Sequence, residues 1–167
     1  MAVRSSVLPG RPTRQIITAL STIALALPTG ASAQSIAPLL GAWSGQGTVV
    51  ISDGKSESIK CNSYVTGGSS DLRYVIRCAS PGYKIEIRSA LKKDGRSLNG
   101  QWEERTYNAS GDAKGQIDDG KITLSVSGGG FSGQMNVTYT AQQQTVVVTT
   151  AGIAMKSLHM RLAKAGG

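Results

Sequence analysis

Turn signals recur along this chain at intervals of about ten to twelve residues, and that spacing limits it to short strands joined by tight reversals. They run Asp53-Gly54, Gly67-Gly68-Ser69-Ser70, Pro81-Gly82, Asp94-Gly95, Ser110-Gly111, Asp119-Gly120, Gly128-Gly129-Gly130, the polar Gln142-Gln143-Gln144, and Gly152. Between them apolar and polar residues alternate: Ile59, Cys61 and Val65 against Lys60, Asn62 and Tyr64, then Ile85, Ile87 and Leu91 against Lys84, Glu86 and Arg88. A period of two sorts each set onto its own face of a strand, one dry and one wet. The segments predict an all-β chain of about ten antiparallel strands, beginning near Trp43 and ending near Leu162. Sequential hairpins with one apolar face close most economically into an up-and-down barrel, which leaves no exposed sheet edge. A two-sheet sandwich is the alternative.

Ahead of this pattern lie Arg4, Arg11 and Arg14, an apolar run from Ile16 to Leu27, and Ala31-Ser32-Ala33. That is the grammar of a cleavable secretory signal. The reading is a signal peptide over 1–33 cleaved after Ala33, an N-terminal trunk over 34–41, and one barrel domain over 42–167. The apolar run is shorter than the roughly 20 residues a spanning helix needs, so no transmembrane segment is expected in the mature chain, which is placed in the periplasm or outside the cell. Three of the 18 Lys and Arg precede Gln34 while all 10 acidic residues follow it, so the net charge falls from +8 to 15 minus 10, or +5. No basic run exceeds Lys92-Lys93, which argues against nucleic acid as a partner.

Turn positions fix strand registers. A two-residue loop at Ser69-Ser70 sets Cys61 opposite Cys78 as a non-hydrogen-bonded pair, with Cα atoms about 4.5 Å apart and within disulfide range. Two cysteines in an exported chain are expected to bridge, and the bridge is read as structural. Pro81-Gly82 sets Ile76 opposite Ile87 and Arg77 opposite Glu86. A loop at Asp94-Gly95 would set Leu91 opposite Leu98, Ser89 opposite Gly100, Ile87 opposite Trp102 and Ile85 opposite Glu104.

These registers gather Tyr74, Ile76, Cys78, Ile85, Ile87, Leu91, Leu98 and Trp102 on the inner face. Outside runs a basic stripe of Lys60, Arg73, Arg77, Lys84 and Arg88, either an ordinary solvated surface or a landing site for an anionic partner. Glu104 breaks the apolar pattern by pointing inward. A carboxylate does not sit unpaired in an apolar interior, so it is either hydrated at the rim or the polar anchor of a pocket. The candidate ligand-binding set is Trp43, Tyr74, Trp102, Glu104 and Met135, although either Trp also serves as a barrel plug.

Catalytic motifs are missing. The one histidine, His159, alternates outward, Asp118-Asp119-Gly120 reads as a turn, and Gly128-Gly129-Gly130 opens no helix, so it is not a phosphate cradle. No metal site and no cofactor is expected, and the chain is read as a non-enzyme.

Leu40-Gly41-Ala42-Trp43-Ser44-Gly45, the two cysteines, Gly100-Gln101-Trp102-Glu103-Glu104, Phe131 and Met160-Arg161-Leu162 together resemble small exported barrel proteins of alphaproteobacteria of unassigned function. Gly41-Ala42-Trp43 also resembles the opening strand of the lipocalin and avidin barrels. The order Trp43, Cys61, Cys78 is similar to the exported bacterial inhibitors of metalloproteases, in which a short N-terminal trunk enters the protease cleft. The first resemblance implies a location and a barrel but no activity; the chain is read as a binding or interaction module of the cell envelope, taking a small amphipathic molecule or an envelope protein. The alternative is a protease inhibitor acting through residues 34–40.

Overall fold

The computed structural model describes residues 35–166; the signal segment and its cleavage site lie outside the described residues. A short 3-10 turn, Ala37–Leu39, precedes ten strands: β1 Gly41–Ile51, β2 Ser56–Gly67, β3 Asp71–Ala79, β4 Lys84–Asp94, β5 Ser97–Glu104, β6 Ala109–Asp118, β7 Lys121–Gly128, β8 Phe131–Tyr139, β9 Gln143–Ala151 and β10 Met155–Lys164. Each strand pairs antiparallel with its sequence neighbours, and β1 pairs with β10 as well as β2. The meander therefore closes into a barrel, as the alternation predicts, and the sandwich is not formed.

The β2–β3 and β3–β4 registers follow the turn arithmetic, with Cys61 opposite Cys78, Ile76 opposite Ile87 and Arg77 opposite Glu86. The Cys61–Cys78 disulfide is present across a Cα–Cα distance of 4.1 Å, and the Cys78 sulfur packs against the Met160 sulfur at 3.4 Å.

The β4–β5 register departs from expectation by two residues. Asp94 pairs with Ser97, so the loop is Gly95-Arg96, and Leu91 faces Gly100, Ser89 faces Trp102 and Ile87 faces Glu104. The physical reason lies in the turn. Gly95 has φ +55 and stands first in the loop, where a type II′ turn takes its glycine, whereas the Asp-Gly reading put it second. Because the shift is an even number, every side chain keeps its face.

An up-and-down barrel has two ends, and here they differ. Loops 52–55, 80–83, 105–108, 129–130 and 152–154 gather at one end, the mouth; the other loops, with the entry to β1 and the exit of β10, form the base. Residues 35–40, within the segment read as an N-terminal trunk, close this base. Ile36 is buried, Leu39 is 0% exposed, and the Trp43 indole N–H donates to the Leu39 carbonyl at 2.9 Å. The Lys164 ammonium stands 4.3 Å from the centre of the Trp43 ring and donates to the carbonyls of Pro38 and Leu40.

Candidate functional site

Above this plug the barrel is not solid. A cavity of about 400 Å³ occupies the mouth half, within the range of small-molecule sites. Its apolar wall comes from Ile76, Ile85 and Ile87 on β3 and β4, Leu124 and Val126 on β7, Met135 on β8 and Val148 on β9. Tyr83, Tyr107, Ile153 and Met155 stand at its rim. Tyr107 is 67% exposed, so the cavity meets solvent there.

The hollow has a local cause on β6. The residues that the strand turns inward above Ile117 are Ala109, Gly111, Ala113 and Gly115, so one wall carries almost no side-chain volume. Gly111 also permits a close strand approach, since a Cβ there would lie 1.8 Å from the Ser127 carbonyl oxygen. Trp102 lies opposite Gly111, and its indole N–H reaches that same carbonyl at 3.2 Å. Phe131 tilts against the Trp102 ring at 4.7 Å between centroids. The run of small residues was visible in the sequence and is the signal that could have revealed the cavity.

Of the five candidate ligand-binding residues, Tyr74, Trp102, Glu104 and Met135 line this cavity. Trp43 does not; it belongs to the base plug. Glu104 is half-buried at the mouth. One carboxylate oxygen accepts the Glu86 backbone N–H at 2.8 Å and the other accepts the Tyr107 backbone N–H at 2.6 Å. The second bond shapes the β5–β6 turn, in which Asn108 takes the left-handed conformation at φ 56. Its inward aim therefore has a structural source, and the backbone donors supply the hydrogen bonds a part-buried carboxylate needs.

Tyr74 spends its hydroxyl on a buried polar cluster. It donates to the Gln144 side-chain oxygen at 2.5 Å, and the Ser63 hydroxyl donates to the same atom at 3.1 Å. Burial pushes the Tyr74 phenol well above its ordinary value of 10.0, with the Ser63 hydrogen bond opposing. The Gln144 side-chain nitrogen is buried and has no hydrogen-bond partner among the described residues.

The basic residues lie on the outer face, and the structure divides them. Glu86 takes Arg88 at 2.6 Å and Arg77 at 3.5 Å, and Glu103 lies 3.9 Å from Arg88. Arg88 is the principal cause that holds the Glu86 carboxyl below its usual range. Lys60, Arg73 and Lys84 are exposed and make no ion pair among the described residues. A wider depression of about 510 Å³ on the outside of β6–β9 is lined by Asp112, Lys114, Ser125, Gln134 and Thr149, among others. It has no apolar enclosure comparable to the internal cavity. Among the described residues no three His, Cys, Asp or Glu side chains converge on a possible metal position.

Fold and site together define a closed, ten-stranded antiparallel β-barrel, plugged at its base and hollow at its mouth. The chain is similar to the crystal structure of Rv2717c from M. tuberculosis, with TM-score 0.65 and 12% identity over 78% of this chain and 95% of that one. It is also similar to the S-type phycobiliprotein lyase CPES from Guillardia theta, with TM-score 0.57 and 9% identity over 79% of this chain and 91% of that one. At these identities the likeness shows the shared barrel alone. No protein-family model matches the chain, and no curated protein matches it. The lyase corrects one expectation: since this barrel also occurs in a lyase, the lack of familiar catalytic motifs does not make the chain a non-enzyme.

Proposed function

We propose that this protein is an exported barrel of the cell envelope that takes a small amphipathic molecule into its mouth-side cavity. The observation that carries the reading is the cavity itself, apolar in its wall, of ligand size and open at one end only. Tyr74, Trp102, Glu104 and Met135 are then the contact residues. The signal grammar of residues 1–33 supports export, and the Cys61–Cys78 disulfide suits an oxidising compartment. Native mass spectrometry of the protein purified from its own host tests the proposal. A co-purifying small molecule, released on denaturation, is the expected result. A ligand-free spectrum, together with a failure of apolar probes to bind, overturns it. Intact mass of the same material is expected to correspond to a chain starting at Gln34.

The inhibitor alternative loses its structural premise. A trunk that enters a protease cleft must be free to do so, whereas Leu39 is fully buried and the segment is tied to Trp43 and Lys164.

A further inference from the structure

We infer that the cavity selects a ligand carrying a cationic amine or ammonium group, held at the mouth beside Glu104 while its apolar body fills the barrel. This rests on the ligand-binding reading above and adds the sign of the ligand's charge. Glu104 is the one charged side chain among the described residues of the cavity lining, and it makes no ion pair with any described residue. An ionised carboxylate has about four acceptor sites. The Glu86 and Tyr107 N–H groups occupy one on each oxygen, which leaves further acceptor capacity on both.

The same cavity is lined by five aromatic residues, Tyr74, Tyr83, Trp102, Tyr107 and Phe131. Aromatic faces attract cations through their quadrupoles, and a carboxylate among them adds net charge of the same preference. An anionic headgroup meets the opposite situation, since no Lys, Arg or His among the described residues lines the cavity to receive it. The basic residues that could have done so, Lys60, Arg73 and Lys84, project from the outer face. The net charge of +5 for a chain starting at Gln34 favours anions at long range, so a preference for cations has to arise locally, in the cavity.

The test compares decylamine, decyltrimethylammonium, decanol and decanoate, each below its micelle concentration, by calorimetric titration into the mature protein. These share one chain length and differ in headgroup charge. Both cations are expected to bind at least about ten-fold more tightly than decanol, the scale of one charge-assisted contact, with decanoate weakest. Glu104→Gln is expected to erase the gap between cations and decanol. Because Glu104 also shapes the β5–β6 turn, Tyr107→Ala provides an independent variant. It keeps the backbone N–H that Glu104 accepts, and is expected to weaken decyltrimethylammonium about three-fold more than it weakens decanol. Equal affinities for all four probes, or tightest binding of decanoate, overturn the inference and leave the cavity as a binding site. Binding of none of the four overturns the inference and the cavity reading together.

Discussion

Leu39→Ala measures whether the N-terminal segment is part of the barrel or an appendage to it. Leu39 is 0% exposed at the base, and Ile36, three residues earlier, is 6% exposed. Removing three carbons from such a site costs the lost transfer free energy plus the cavity left behind, about 2–5 kcal/mol in comparable cores. The backbone stays in place, so the Trp43 indole keeps its bond to the residue 39 carbonyl and Lys164 keeps its acceptors. The loss is therefore one of packing alone. With a urea m-value of about 1–3 kcal/mol/M, a 3 kcal/mol loss moves the unfolding midpoint down by roughly 1–3 M. Trp43 emission follows the base directly, and a Trp102→Phe background removes the signal from the mouth. Leu40→Ala, at a half-buried neighbour, is the control and is expected to cost clearly less. A Leu39→Ala loss below about 1 kcal/mol would show that the segment is an arm lying on the barrel, and the inhibitor reading would recover its premise.

Other expectations concern the bridge, the buried phenol and the hollow. Replacing Cys61 and Cys78 together by Ala should cost about 3 kcal/mol in denaturant unfolding, the loop-closure value for a separation of 17 residues, and the native wild-type protein should present no alkylatable thiol. Above the ordinary tyrosine value of 10.0 the unfolded chain releases the Tyr74 proton while the folded one retains it, so stability is full below that pH and falls by about 1.4 kcal/mol per unit above it. Tyr74→Phe should flatten the alkaline slope; Tyr139, shifted in the same direction mainly by burial, accounts for what remains. Ala113→Leu should fill part of the cavity, raising stability by up to about 2 kcal/mol while weakening decanol binding several-fold; a stability loss of 1–3 kcal/mol would show a packed wall instead of a hollow one.

What the sequence made legible follows from how far each signal reaches. Alternation and turn spacing act over a few residues, so they specified the faces of β2 to β5 and the meander as a whole. Even the β4–β5 error left the inward and outward sets intact, because moving the loop one residue, from Asp94-Gly95 to Gly95-Arg96, shifts the register by two, a whole pleat period. The disulfide was legible for the same reason, through two cysteines symmetric about one turn. The role of residues 34–40 was not. A seven-residue stretch with Pro38 has no periodicity to read, and its burial depends on the far end of the chain, where Lys164 meets Trp43 across an interval of more than a hundred residues.

The cavity was illegible for a different reason: it comes from missing volume. Large inward residues such as Trp102 and Glu104 attract notice, and both do line the site, yet neither creates it. The space exists because β6 turns Ala109, Gly111, Ala113 and Gly115 toward the interior opposite bulky strands, and small residues read locally as turn punctuation or weak strand. Their significance appears only once closure fixes which face of β6 is the inside. Glu104 then acquires its meaning from the same geometry. Its two backbone donors would satisfy a carboxylate in a solid rim equally well, but here the side chain borders a hollow lined in part by aromatic residues, with no cation among the described residues of its lining. The charge selectivity of that hollow is therefore a property of the empty wall on β6 as much as of the acid on β5.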